Sequence, residues 1–124
     1  MLKRNPEECP IRVRPGLVSH ILLQTGDTPN NSLAVTRVEV APAAHQQAHS
    51  HAPEQIYVIL EGIGRMNVGC EVTVARPGEL IYIPPNAVHS IENMGNEKLI
   101  YLSISVPAFD LEALYDNGQL RVEA

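Results

Sequence analysis

No stretch of this chain runs eleven residues without a proline, glycine or asparagine that would break a regular element, and this punctuation limits the fold more than any other feature. Ten prolines and eight glycines are spread along 124 residues, and the runs between them are short and rich in β-branched side chains. Segments of this kind bury apolar surface by pairing as antiparallel strands in a sandwich or barrel, with almost no helix. The sequence predicts strands over residues 17–24, 33–40, 56–60, 65–68, 71–75, 80–83, 89–92 and 98–106. The clearest is 33–40, where Val35, Thr36, Val38 and Val40 fall among alternating positions. Gly69 supplies the positive φ of a hairpin turn between 65–68 and 71–75.

The remaining segments read as connections. Residues 1–16, with Pro6, Pro10, Pro15 and Gly16, are expected to form an extended, irregular arm along a sheet edge. Residues 41–48 are expected as a loop that delivers the chain to His49, and residues 110–115 as a short capped helical turn in a tail spanning 108–124. The whole of 1–124 reads as one domain, with the barrel over 17–107, because a chain of this length buries an adequate core without disulfides.

Chemistry concentrates in two places. His49 and His51 are two residues apart, so on an extended strand they point to the same side and can share one metal ion. His89 follows a Pro84-Pro85-Asn86 turn at the start of another strand. Imidazole suits first-row divalent metals, and three histidines converging from two strands leave positions open for a further ligand or water. Pro53 interrupts the ladder after His51. Either Glu54 or Gln55 then faces the histidines, depending on register. By parity with Gln55, Tyr57 points into the barrel, where it is a candidate general acid or a packing residue with one hydrogen bond. His20 reads as a packed or surface histidine, and His45 as solvent-exposed. Arg37 and Glu39 share a face that contacts substrate if it looks inward and forms a solvated pair if it looks outward; the outward placement is expected.

The first stretch resembles the first motif of the cupin family, His-x-His, three or four residues, Glu, six residues, Gly. His49, His51 and Gly62 match, and Gln55 stands where Glu is usual. The second resembles the second motif, Gly, five residues, Pro-x-Gly-x-x-His, three residues, Asn. Gly78, Pro84, His89 and Asn93 match, and Asn86 replaces the glycine, a mild change because asparagine visits the left-handed region readily. The resemblance implies an all-β double-stranded β-helix, or jelly-roll barrel. It implies one divalent transition metal per chain (Mn, Fe, Ni, Zn or Co) held by His49, His51, Gln55 and His89, with Asn93 structural. It also implies a homodimer, since single-domain cupins pair through sheet edges. In some small cupins, including one that acts on unsaturated uronates, glutamine holds the metal at the position of Gln55.

Composition narrows the partners. A net charge of -5 and a pI near 5.4 argue against nucleic acid, which requires a cationic surface. No apolar run approaches a membrane span, and the first fifteen residues hold no apolar signal core, so a cytoplasmic protein is expected. Cys9 and Cys70 fit no zinc motif or disulfide framework. Three imidazoles and a neutral amide leave an ion its full charge, favouring Lewis-acid chemistry on a small oxygen-rich anion such as a sugar acid, of the isomerase or lyase type. The alternatives are an iron-dependent dioxygenase and a cupin that binds a small molecule without transforming it; one scaffold hosts all three.

Overall fold

The computed structural model describes residues 1–30, 32–107 and 121–123. After a 3-10 turn at Pro6–Glu8, the chain runs through β1 (Ile11–Arg14), β2 (Leu17–Leu23), β3 (Ala34–Val40), β4 (His45–Ser50), β5 (Glu54–Glu61) and β6 (Gly64–Val68). It continues through β7 (Glu71–Ala75), β8 (Leu80–Ile83), β9 (His89–Asn93), β10 (Leu99–Val106) and β11 (Arg121–Glu123). A six-stranded sheet, in the order β1-β2-β3-β10-β5-β8, packs on a five-stranded one, β11-β4-β9-β6-β7. The expected all-β jelly roll is what forms.

Two expected connections are strands. Residues 45–48, expected within a loop, open β4 (His45–Ser50), which pairs with β9 on one side and β11 on the other. His-Gln-Gln-Ala-His-Ser contains no β-branched residue, so its own propensity gives no sign of a strand; the neighbouring ladders impose it. Within the expected irregular arm, Ile11–Arg14 pairs with β2 as the edge of the larger sheet. Asn5 caps the 3-10 turn before it, accepting from the amides of Glu7 and Glu8 at 3.0 and 3.1 Å. The helical turn expected over 110–115 lies outside the described residues.

The inner faces are graded. Alternation on β3 sends Ala34, Thr36, Val38 and Val40 inward. Opposite them on β10 lie Ser105, Ser103, Tyr101 and Leu99 in register. Toward one end the interior is apolar, with Val40, Ile59, Met66, Ile91 and Leu99 almost wholly buried. Toward the other it is lined by Thr36, Gln55, Ser103 and Ser105, all buried. Asn93 fastens the apolar end: its side-chain amide donates to the carbonyls of Val40 (2.9 Å) and Glu97 (2.8 Å), and its Oδ1 accepts from the Gly95 amide (2.8 Å).

The two motif glycines have different reasons to be glycine. Both have φ above +80°, at +83° for Gly62 and +88° for Gly78. A β-carbon on Gly62 would lie 2.6 Å from the Lys98 carbonyl oxygen and 2.8 Å from the Leu99 α-carbon, whereas one on Gly78 would meet nothing within 4 Å. Gly78→Ala should therefore lose only the conformational term, about 1–2 kcal/mol. Gly62→Ala should lose that and a further ~1–3 kcal/mol of overpacking against backbone. Denaturant midpoints of the two variants should rank in that order, and equal losses would show that strand β10 yields to the added methyl.

Candidate metal centre

The site is assembled by a fault in strand β4. Gln46 and His49 are three residues apart, so simple alternation would put them on opposite faces, yet both are buried inside. The β4–β9 register shifts between them, as a bulge requires. Beyond the bulge His49 lies directly opposite His89 of β9. His51 follows just past the end of β4, and Gln55 is the second residue of β5. The turn before β9 is tied to this corner by the Asn86 amide, which donates to the His51 carbonyl at 2.8 Å. Asn86 has φ +64°, the left-handed conformation expected of it.

The three rings converge. Ring centres lie 4.3 Å apart for His49 and His89, 5.0 Å for His51 and His89, and 5.6 Å for His49 and His51, and one ligand atom from each falls within 4.8 Å of the others. Every Nδ1 faces a backbone carbonyl: His49 that of Gln47 (2.8 Å), His51 that of Pro53 (2.9 Å), His89 that of Ala87 (2.9 Å). A carbonyl only accepts, so each Nδ1 carries the proton and each Nε2 presents a lone pair to the centre, the tautomer a metal requires. The Nε2 of His89 is buried with no hydrogen-bond partner among the described residues. Gln55 Oε1 lies 3.0 Å from His51 Nε2, while its amide nitrogen donates to Ser103 Oγ. Two acceptors so placed are compatible when a cation lies beside both, or when the amide turns over to donate to the ring. This donor set, neutral nitrogens with an adjacent amide oxygen, fits a divalent transition metal.

Of the two neighbours left open by the sequence, Gln55 is 6% exposed and faces the histidines, while Glu54 is exposed and accepts from the Tyr82 hydroxyl at 2.6 Å. Tyr57 points inward as expected, stacks on Tyr101 at 4.4 Å and lies 6.1 Å from the His89 ring. Arg37 and Glu39 point away from the interior, where Glu39 meets His20 Nε2 (2.9 Å), Lys98 Nζ (3.1 Å) and Arg37 Nη1 (3.2 Å). His45 is exposed. Cys9 and Cys70 are free thiols.

One residue at the site was not expected. Arg14 of β1 reaches between the sheets, its Nη1 donating to Gln46 Oε1 at 3.2 Å and its Nη2 to Ser19 Oγ. It borders a small void of about 30 Å³ shared with His49, Gln55, Tyr57 and Ser103. It also borders a larger cavity of about 480 Å³, opening between β1 and β4 beside His49. The signal available in the sequence was the alternation Ile11-Arg12-Val13-Arg14, which marks a strand with one charged face.

Two antiparallel sheets packed as a jelly roll, with three histidines gathered on the inner faces where they could hold a metal ion, define the class of β-sandwich to which the chain belongs. The chain belongs to the cupin family: the cupin domain model (Cupin_2) matches residues 36–105, from β3 to β10. Uncharacterized protein MJ1618 of Methanocaldococcus jannaschii is 45% identical over 65 residues, and the chain spans about half (52%) of that relative's length, with 52% of its own length aligned. A protein described as a predicted oxalate decarboxylase from Thermotoga maritima superposes with a TM-score of 0.77 at 21% identity, covering 86% of this chain and 99% of that one. KdgF from Halomonas sp. superposes at 0.70 and 22% identity, covering 84% and 91%. At these identities the solved structures share the fold. No helix among the described residues is long and apolar enough to cross a membrane.

Burial holds all three imidazoles neutral. It lowers His49 to about 4, with the charges of His51 and Arg14 adding to the effect. Burial, with His49 and His51 beside it, lowers His89 to about 3, and burial lowers His51 as well. The unfolded chain takes up protons at these positions near pH 6.5, whereas in the folded chain His49 does so only at about 4 and His89 at about 3, with His51 shifted in the same direction. Metal-free protein should therefore lose stability as pH falls from about 6.5 toward 4, by up to ~1.4 kcal/mol per pH unit for each such histidine. Urea denaturation of chelator-treated protein at pH 7 and pH 5 measures this, and a His89→Gln variant should show a shallower fall. Equal slopes in the two proteins would mean that His89 is protonated in the folded state.

Proposed function

We propose that this cupin is an enzyme that holds one divalent transition metal on His49, His51, His89 and Gln55 and acts on a small oxygen-rich anion by isomerisation or lyase-type chemistry. The observation that carries the reading is the shared tautomer: three buried imidazoles donate Nδ1–H to backbone and turn their Nε2 lone pairs to one point, beside an amide oxygen. When bound, the ion would supply Lewis acidity, polarising a carbonyl or acidifying a water. The protein's part is to keep that charge undiminished, since neither the imidazoles nor Gln55 brings a negative charge into contact with it. Ser103 orients the Gln55 amide, and the Tyr57 hydroxyl holds a proton on the inner wall for transfer to a substrate oxygen. The oxalate chemistry named for one fold neighbour, that of a small dicarboxylate, is of the same class of ligand.

Metal analysis should find one ion per chain, lost in His49→Ala and in His89→Ala. Gln55→Glu should keep the metal at least as tightly, because carboxylate is the stronger ligand for a cation, yet weaken binding of anionic substrates and raise the pKa of bound water. Glu54→Gln should change neither, its side chain being on the outer surface. Loss of metal in Glu54→Gln with none of these changes in Gln55→Glu would overturn the assignment of Gln55. Oxygen consumption by the iron-loaded protein with a carbon substrate would replace the Lewis-acid reading with a dioxygenase. Binding of sugar acids without turnover across a broad panel would replace it with a binding protein.

A further inference from the structure

Strand β1 reverses the usual pattern of a sandwich edge. Its apolar residues Ile11 and Val13 face outward, 53% and 66% exposed. Arg12 and Arg14 lie on the opposite side and are half-buried. Register pairs Arg12 with Ser19 and Arg14 with Leu17, both buried, so the arginines share the face that looks into the sandwich. Local reversals of binary pattern of this kind concentrate at functional sites.

We propose that Arg14, with Arg12 beside it, is an anion subsite for the metal centre, and that the substrate is a small carboxylate-bearing molecule entering through the cavity between β1 and β4. This rests on the metal-centre reading above and adds a direction of entry and a recognised group. Three further observations support it. Arg14 is fixed from both sheets, by Ser19 on β2 and Gln46 on β4, and a guanidinium held in place recognises a planar carboxylate with little ordering left to do. Arg14 and His49 line both the 480 Å³ cavity and the small void that reaches Gln55 and Tyr57, so a molecule passing from one to the other meets the guanidinium first. Among the described residues lining the larger cavity there are two arginines and no carboxylate, so this part of its wall attracts an anion. Both arginines lie outside the span 36–105 matched by the family model, which makes the subsite a feature of this chain's own first strand. The competing account, that inward charges on an edge strand only discourage edge-to-edge pairing, predicts no ligand.

The test uses the full chain, loaded with manganese, and oxalate as the probe anion. Calorimetric titration of wild type, Arg14→Gln, Arg14→Lys and the outward-facing control Arg37→Gln should show oxalate affinity reduced about tenfold or more in Arg14→Gln. Affinity should be partly kept in Arg14→Lys and unchanged in Arg37→Gln, with metal content after titration equal in all four. Affinity in Arg14→Gln within twofold of wild type, or no oxalate binding by metal-loaded wild type, would overturn the subsite. If wild type takes up no metal, the metal-centre reading fails separately, and the same comparison in metal-free protein still decides the arginine. Because Arg14→Gln removes contacts to both sheets, labelling of native wild type with phenylglyoxal supplies a second measurement. Oxalate should protect Arg14 and leave Arg37 reactive, and unprotected Arg14 at saturating oxalate would overturn the proposal.

Discussion

The site depends on the backbone ladder between β4 and β9. Strand β4 has a sequence that would not be extended by itself, and the pairing with β9 both makes it a strand and introduces the bulge that turns His49 inward, opposite His89. The ladder also leaves backbone carbonyls of Gln47 and Ala87 beside the rings they precede, where each takes the Nδ1 proton. Strand pairing thus selects the tautomer, and the tautomer decides whether a metal can be held. Removing the bulge by one residue would send His49 to the opposite face and dissolve the constellation with the histidines still present in the sequence.

The interior separates two requirements. A half lined by Val40, Ile59, Met66, Ile91 and Leu99 provides the apolar burial that a small domain depends on. The other half is lined by serines, a threonine, glutamines and imidazoles, several of which satisfy one another, while the Nε2 of His89 has no partner among the described residues. Ser103 to Gln55, Gln55 to His51 and Arg14 to Gln46 and Ser19 are links in this network. The strands pass through both halves, so β3, β5 and β10 each change from apolar to polar inner residues part-way along. The boundary falls at Tyr57 and Tyr101, which stack and present both an apolar ring and a hydroxyl.

Much of this was readable in the residues because it depends on short-range rules. Alternation placed the inner face of β3 and the His-x-His spacing placed two rings together, while the choice of Gln55 over Glu54 came from the resemblance to the cupin motif. What escaped were consequences of pairing across long sequence distances. Nothing in residues 45–48 marks a strand, since that part of the strand exists through its partners. Nor does the Pro-rich start of the chain announce that Ile11–Arg14 docks on β2 and sends two arginines inward. A sequence pattern states which residues share a face; which face becomes the inside is decided by topology. The outward position of Arg37 and Glu39 and the inward position of Arg12 and Arg14 show the same charged alternation resolved in opposite ways.

The hydrogen bond from the Asn86 amide to the His51 carbonyl joins the two halves of the site through main chain alone. Side-chain identity does not enter it, so it constrains any attempt to transplant this centre. A designer who grafts the loop of residues 84–89 onto a different sandwich must carry over the left-handed geometry at position 86 as well as the histidine, because without it the amide turns away and the two loops lose their common reference. The transferable unit is consequently a pair of loops with a fixed backbone relation, and an inventory of ligands is an incomplete blueprint for it.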